Sequence, residues 1–270
     1  MKFRIWILGL KSHYRGSTLE LALNTQKLEF SNFWGFDAKE LYGSNKIGYH
    51  DINFANFLYG RNLLTTEIAA SLGHIGIYKE FLKSKHSWAL ILEDDAIINF
   101  ELSNLLVNLE DYNKPVVINL SHGEGFRFKK QALVGRNFKT KNYEVVRLLE
   151  LPTLAHGYLI NRKAVEMIDF KLAQKLITVP DWPYIWPKSF QYYVTRVSLV
   201  SADNANTESL IGDRTGLPST PPSFWLPSIR RSIIAYKFGV NLQLAFYREF
   251  VIKILRIYYR LIQLIKSLLW

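Results

Sequence analysis

Residues 88–98 read Trp-Ala-Leu-Ile-Leu-Glu-Asp-Asp-Ala-Ile-Ile, WALILEDDAII. An apolar run, Trp88 to Leu92, leads into three consecutive acids and then turns apolar again. A short continuous apolar run of this kind reads as a buried strand. Side chains alternate faces along a strand, so Glu93 and Asp95 point one way and Asp94 the other. The acids stand at the C-terminal end of the strand, which is the edge where open α/β sheets bind ligands. Crowded carboxylates raise one another's pKa, and a divalent cation removes that cost. Mg2+ or Mn2+ takes one or two carboxylates and completes its shell with water and substrate phosphates. The stretch therefore points to a cation held between a strand end and a diphosphate. A solvated acidic turn that caps a helix accounts for the same three letters.

Outward from this strand the chain alternates strand and helix. Phe3 to Leu10 reads as a buried first strand, and Ser12 to Glu29 as a turn and a helix. Phe30 to Arg61 reads as an aromatic, loop-like region. Thr65 and Thr66 offer N-cap oxygens for a helix through Ser84. On its wheel Ile68, Leu72, Ile75, Tyr78 and Leu82 share one face, with His74 between Phe81 and Tyr78 on the apolar side. After the acids come a short helix, Asn104 to Leu109, a strand, Pro115 to Leu120, and a strand-like Val145 to Leu149. A further strand ends at Asn161, which is placed to cap the helix that starts at Arg162. Residues 179–187, VPDWPYIWP, form a Pro/Trp loop, and VTRVSLVS (194–201) reads as one last strand. This alternation predicts an α/β domain with a largely parallel sheet.

The composition narrows the class. The 270 residues are about half hydrophobic and contain no cysteine, which excludes disulfide scaffolds and thiolate metal sites and fits a reducing compartment. The N-terminal apolar run is too short for a signal peptide, and no run of about 18 charge-free apolar residues predicts a transmembrane helix. Of the net charge of +11, the segment from Ser228 to Trp270 holds +7, from eight Lys/Arg against Glu249. Residues 216–228 form a Pro-rich linker, and residues 229–270 a basic amphipathic helical tail. In that tail Arg248, Lys253, Arg256, Arg260, Gln263 and Lys266 fall within about 140° of the wheel, and apolar residues cover the rest. Such a helix suits the surface of an anionic membrane, or packing on protein. Nucleic acid is disfavoured, because the basic residues flank a very apolar face.

Four segments together resemble glycosyltransferase family 25: Glu67-Ile-Ala-Ala-Ser-Leu-Gly-His74, Ile77-Tyr78, Ile91-Leu-Glu-Asp-Asp-Ala96, and His156-Gly-Tyr-Leu-Ile160 with Ala164. That family comprises the lipooligosaccharide galactosyltransferases of Gram-negative bacteria and their relatives. The resemblance spans about residues 3 to 215. It departs at Ala69, where the family usually has Gly, at Gly73, where Ser usually precedes the His, and over Phe30 to Arg61, which shows no family pattern.

The resemblance implies a GT-A-like single nucleotide-sugar-binding domain over residues 1–215, with a mostly parallel sheet. It implies Mn2+ or Mg2+, a UDP-hexose donor (galactose first), inversion, and a lipopolysaccharide, lipooligosaccharide or other surface glycan as acceptor. Carried onto this chain, the metal ligands are Asp95, first, and Glu93. The donor-binding candidates are Leu10, Arg15, His74, Glu93, Asp94, His156 and Arg214. Asp181 is the candidate base for the acceptor hydroxyl, and Trp182 and Trp186 are candidates to stack on sugar faces. Plainer roles stay open for these residues: a turn cap for Asp181, a satisfied core histidine for His74 or His156, and a surface arginine for Arg15 or Arg214. The expected location is the cytoplasm, attached peripherally to the inner membrane through residues 229–270. The competing readings are a metal-dependent phosphoester hydrolase, for which only Asp181, Asp203 and Asp213 could add carboxylates, and an inactive membrane-associated scaffold.

Overall fold

The computed structural model describes residues 2–43, 63–121, 138–139, 144–147, 155–168, 170 and 191–203. Among them the strands are β1 (Phe3–Gly9), β2 (Phe30–Trp34), β3 (Trp88–Glu93), β4 (Ala96–Ile98), β5 (Val116–Asn119), β6 (Phe138–Lys139), β7 (Glu144–Arg147), β8 (Gly157–Asn161), β9 (Gln191–Thr195) and β10 (Val200–Ala202). The helices are α1 (Ser17–Thr25), α2 (Ala38–Gly43), α3 (Thr65–Lys83), α4 (Leu102–Val107) and α5 (Arg162–Glu166), with a 3-10 turn at Lys11–His13. The linker at 216–228, the tail at 229–270, Asp181, Trp182, Trp186 and Arg214 lie outside the described residues. No described helix is long and apolar enough to cross a membrane.

Eight strands form one sheet in the order β2-β1-β3-β8-β5-β9-β7-β6. Six of them run the same way, and β7 and β8 run against them. The sheet is thus mostly parallel in direction. The reversed β8 lies between β3 and β5, and this matters for the site. Where Leu92 opposes Gly157, the next step outward sets Glu93 beside His156, and the Glu93 N–H donates to the His156 carbonyl at 2.9 Å.

The sheet is covered on both faces. Ala89 and Ile91 of β3 pack with Ile75, Ile77, Tyr78 and Phe81 of α3 and with Ala164 and Val165 of α5. Trp88, Leu90 and Leu92 pack with Leu19 and Leu23 of α1 and with Leu102, Leu105 and Leu106 of α4. The period of two therefore continues into the acids. Glu93 follows Ala89 and Ile91 toward α3, while Asp94 follows Leu90 and Leu92 toward α1.

Helix α3 comes very close to the sheet at Gly73. A Cβ there would lie 2.9 Å from Leu8 Cδ1, too close for a side chain unless Leu8 moves. This accounts physically for Gly73 in place of Ser. The Arg162 guanidinium closes the far end of α3, donating to the carbonyls of Phe81 at 3.2 Å and Leu82 at 3.3 Å and stacking over the Phe81 ring.

Four expectations are corrected. Phe30–Trp34 is an edge strand, not a loop, and α2 follows it; every residue of β2 is partly or fully exposed, so no apolar alternation marks it. At the start of α3 the cap position is Leu64. Thr65 and Thr66 already lie within the helix, and Glu67 Oε2 accepts the Leu64 N–H at 2.9 Å instead. The stretch 194–201 is not one strand. β9 ends at Thr195 in the large sheet, the chain turns, and β10 pairs antiparallel with β4 as a separate two-stranded sheet. The helix after the acids begins two residues early, at Leu102. Asn161 caps α5 as expected, its side chain accepting from the Ala164 N–H at 3.0 Å.

Candidate functional site

Three backbone bonds clamp the acidic turn between neighbouring strands. Glu93 N–H is held by His156, Asp94 N–H donates to the Leu8 carbonyl of β1, and Asp203 N–H donates to the Asp95 carbonyl, each at 2.9 Å. The turn is thereby fixed to β1, to the start of β8 and to the end of β10.

Within this frame Glu93, Asp95 and His156 present one ligand atom each, all within 4.8 Å of one another, a cluster able to hold a metal ion. His156 Nδ1 lies 2.9 Å from Glu93 Oε2 and 3.7 Å from Asp95 Oδ1. Burial alone would lower the His156 pKa, but its contacts with Asp95 and Glu93 outweigh that and raise it to about 10. Burial alone would raise Glu93, yet the facing imidazoles, His156 first and then His74, hold it well below the ordinary carboxylate range. Asp95 Oδ1 is buried and has no hydrogen-bond partner. A buried carboxylate oxygen that makes no hydrogen bond, beside two other potential ligands, is an environment that a divalent cation satisfies, so the residues present fit one.

Asp94 lies on the other side, as the alternation requires. It is 5% exposed. Arg15 Nη2 contacts Asp94 Oδ1 at 2.7 Å and Asp95 Oδ2 at 3.3 Å, and the Arg15 backbone N–H reaches Asp94 Oδ2 at 3.3 Å. Burial raises the Asp94 pKa in spite of Arg15. Arg15 and His156 thus offset two of the three acidic charges.

His74 lies beneath the cluster, 3% exposed, with Nε2 3.5 Å from Glu93 Oε1. Leu10 follows β1 and is half-buried at the start of the 3-10 turn Lys11–His13. The structure therefore brings together Glu93, Asp95, His156 and His74 and puts Asp94 and Arg15 against them. Residue order placed Tyr78 and Tyr158 within the family-like segments but gave neither a site role; their hydroxyls continue the contact from His74. A signal for Tyr78 was available, because it follows His74 by four positions on one helix face. Tyr14 and Trp34 pack at the edge of the sheet. Their rings meet edge to face at 5.1 Å beside the C-terminal ends of β1 and β2.

Residues 3–181 match the model of glycosyltransferase family 25, described as LPS biosynthesis protein. The chain belongs to glycosyltransferase family 25. The acidic turn, His74 and His156 all fall inside the matched span. Among solved structures, this family 25 chain is similar to A197 from STIV, with 9% identity over 75% of this chain and 84% of that one, at a TM-score of 0.37. It is also similar to a glycosyltransferase involved in the glycosylation of the major capsid of PBCV-1, with 14% identity over 63% of this chain and 65% of that one, at a TM-score of 0.29. Both are distant likenesses. No curated protein matches the chain.

Proposed function

We propose that this family 25 glycosyltransferase moves a hexose, with galactose the first candidate, from a UDP-sugar to a lipopolysaccharide, lipooligosaccharide or other surface glycan, with inversion, on a GT-A-like domain. The observation that carries this proposal is the convergence of Glu93, Asp95 and His156 at the end of β3, where Asp95 Oδ1 is buried without a hydrogen bond and faces His156 at 3.7 Å. A divalent cation bound there would supply Lewis-acid neutralisation of the charge that develops on the departing diphosphate. Two carboxylates with one imidazole favour Mn2+ over Mg2+, which prefers an all-oxygen shell.

The chain's own groups divide the remaining work. Arg15, held by Asp94, would turn its guanidinium from Asp95 to the donor phosphates, and Arg214 is a second candidate for that contact. Leu10 would line the donor site beside β1. In the transfer the acceptor oxygen attacks the anomeric carbon from the face opposite the diphosphate. The new C–O bond forms as the sugar–phosphate bond breaks, and its electron pair leaves with UDP. Asp181 is the proposed acceptor of the hydroxyl proton, with Trp182 and Trp186 stacking on sugar faces. Residues 229–270 are proposed to rest on the cytoplasmic face of an anionic inner membrane, which would hold the enzyme near a lipid-linked acceptor.

Thermal melting tests the proposal. UDP-galactose with Mn2+ should raise the melting temperature, by the equivalent of about 2.7 kcal/mol at a hundredfold excess over Kd, and neither alone should do as much. If no UDP-hexose stabilises the protein in the presence of Mn2+, the proposal fails. Stabilisation without transfer to any glycan would identify the inactive scaffold instead.

A further inference from the structure

On the α3 side of the sheet, His74, Tyr158 and Tyr78 form a polar chain inside the apolar core. His74 Nδ1 lies 2.9 Å from the Tyr158 hydroxyl, which lies 2.7 Å from the Tyr78 hydroxyl. None of the three side chains is more than 4% exposed. Leu8, Phe81, Ala89 and Ile91 belong to the same apolar cluster. At the other end of the chain His74 Nε2 is buried without a hydrogen-bond partner and faces Glu93 Oε1 at 3.5 Å.

Each of the three side chains holds a polar atom of the next, and linked hydrogen bonds polarise one another. Burial raises both tyrosine pKa values, which keeps the hydroxyls protonated and able to donate. The two oxygens of Glu93 are addressed separately: Oε1 faces His74 on α3, and Oε2 faces His156 at the start of β8. Two imidazoles on two elements set the plane of the carboxylate before any ligand arrives.

We propose that His74, Tyr158 and Tyr78 are positioning residues, a buried hydrogen-bonded chain that orients the Glu93 carboxylate for cation binding. The proposal rests on Glu93, Asp95 and His156 being the cation site. The chain explains why three polar groups are buried together where apolar residues would pack as well. Partners that orient a ligating group typically change metal affinity by about 10- to 100-fold.

The test titrates the full-length protein with Mn2+ alone, following free Mn2+ by electron paramagnetic resonance, and records the melting temperature of the chelated protein in parallel. Tyr158→Phe and His74→Leu should each weaken Mn2+ binding by about 10- to 100-fold. His74→Gln, whose amide N–H reaches toward the same carboxylate, should recover most of the loss. Unchanged Mn2+ affinity in Tyr158→Phe and His74→Leu overturns the proposal, even where their melting temperatures fall, because that is the signature of packing alone. Glu93→Gln separates the two levels. If it binds Mn2+ like the parent, the cation site is wrong and this chain with it. If it loses Mn2+ while Tyr158→Phe and His74→Leu bind normally, only the positioning role is wrong. Should His74→Leu fail to fold, Tyr158→Phe, which loses one oxygen and keeps the ring, decides alone.

Discussion

Replacing Asn161 with alanine would remove one side chain that ties three segments together. Asn161 is 2% exposed. Its Oδ1 accepts the Ala164 N–H at 3.0 Å, capping α5, and the Val116 N–H at 2.9 Å, starting β5. Its Nδ2 donates to the Lys114 carbonyl at 2.7 Å. Loss of an N-cap costs about 1 kcal/mol. The Val116 N–H, left buried without an acceptor, adds about 1–3 kcal/mol. Lys114 is exposed, so its carbonyl can turn to water and adds little. The sum is about 2–4 kcal/mol, a fall in melting temperature on the order of 10 °C for a domain of this size. Asn161→Asp keeps both accepted bonds but sets a buried carboxylate oxygen against the Lys114 carbonyl, so it too should be destabilised. Urea denaturation with a fixed slope, run beside calorimetry, measures both variants. Mn2+ affinity should change little, because Asn161 lies at the end of β8 away from His156. An alanine variant within about 0.5 kcal/mol of the parent would refute the assignment of these bonds as a structural tie.

Three further outcomes follow from the same geometry. Because His156 is raised to about 10, Mn2+ capture through Nδ1 must expel a proton; apparent Kd should therefore fall about tenfold per pH unit from about pH 6 to 8, and His156→Gln should flatten that slope. An equal slope in both proteins would place the proton elsewhere. Gly157→Ala would set a Cβ 2.7 Å from both methyls of Val200; about 1–3 kcal/mol of destabilisation is expected, with Val200→Ala restoring part of it in a double-mutant cycle, and strict additivity would contradict the contact. Deleting Ser228 to Trp270 should move the protein from the membrane pellet to the soluble fraction, and unchanged fractionation would reject the interfacial helix.

Much of the sheet was legible because its strands are short, apolar and bounded. WALILE, FRIWILG and VVIN are buried wherever they lie, and period-two alternation sends Glu93 and Asp94 to opposite faces without help from any other segment. The same locality made Asn161 readable as a cap. β2 was not legible, because FSNFW sits at a sheet edge with its side chains partly in solvent and leaves no apolar period. The break within 194–201 was hidden for a related reason: Thr195 and Val200 both suit a strand, and only the separate pairing of β10 with β4 divides them.

The acids, their order and their place at a strand end were determined by the sequence, since those properties depend on neighbours along the chain. Which partners meet them was decided by the tertiary structure. His156 comes beside Glu93 only because β8 runs antiparallel to β3 in a register that pairs Leu92 with Gly157. His74 comes beneath it only because Gly73 lets α3 approach Leu8 closely. Arg15 comes from the segment after β1, 79 residues before Asp94. Charge balance among groups so far apart in sequence is set by distance in space, which falls off too steeply for residue order alone to supply.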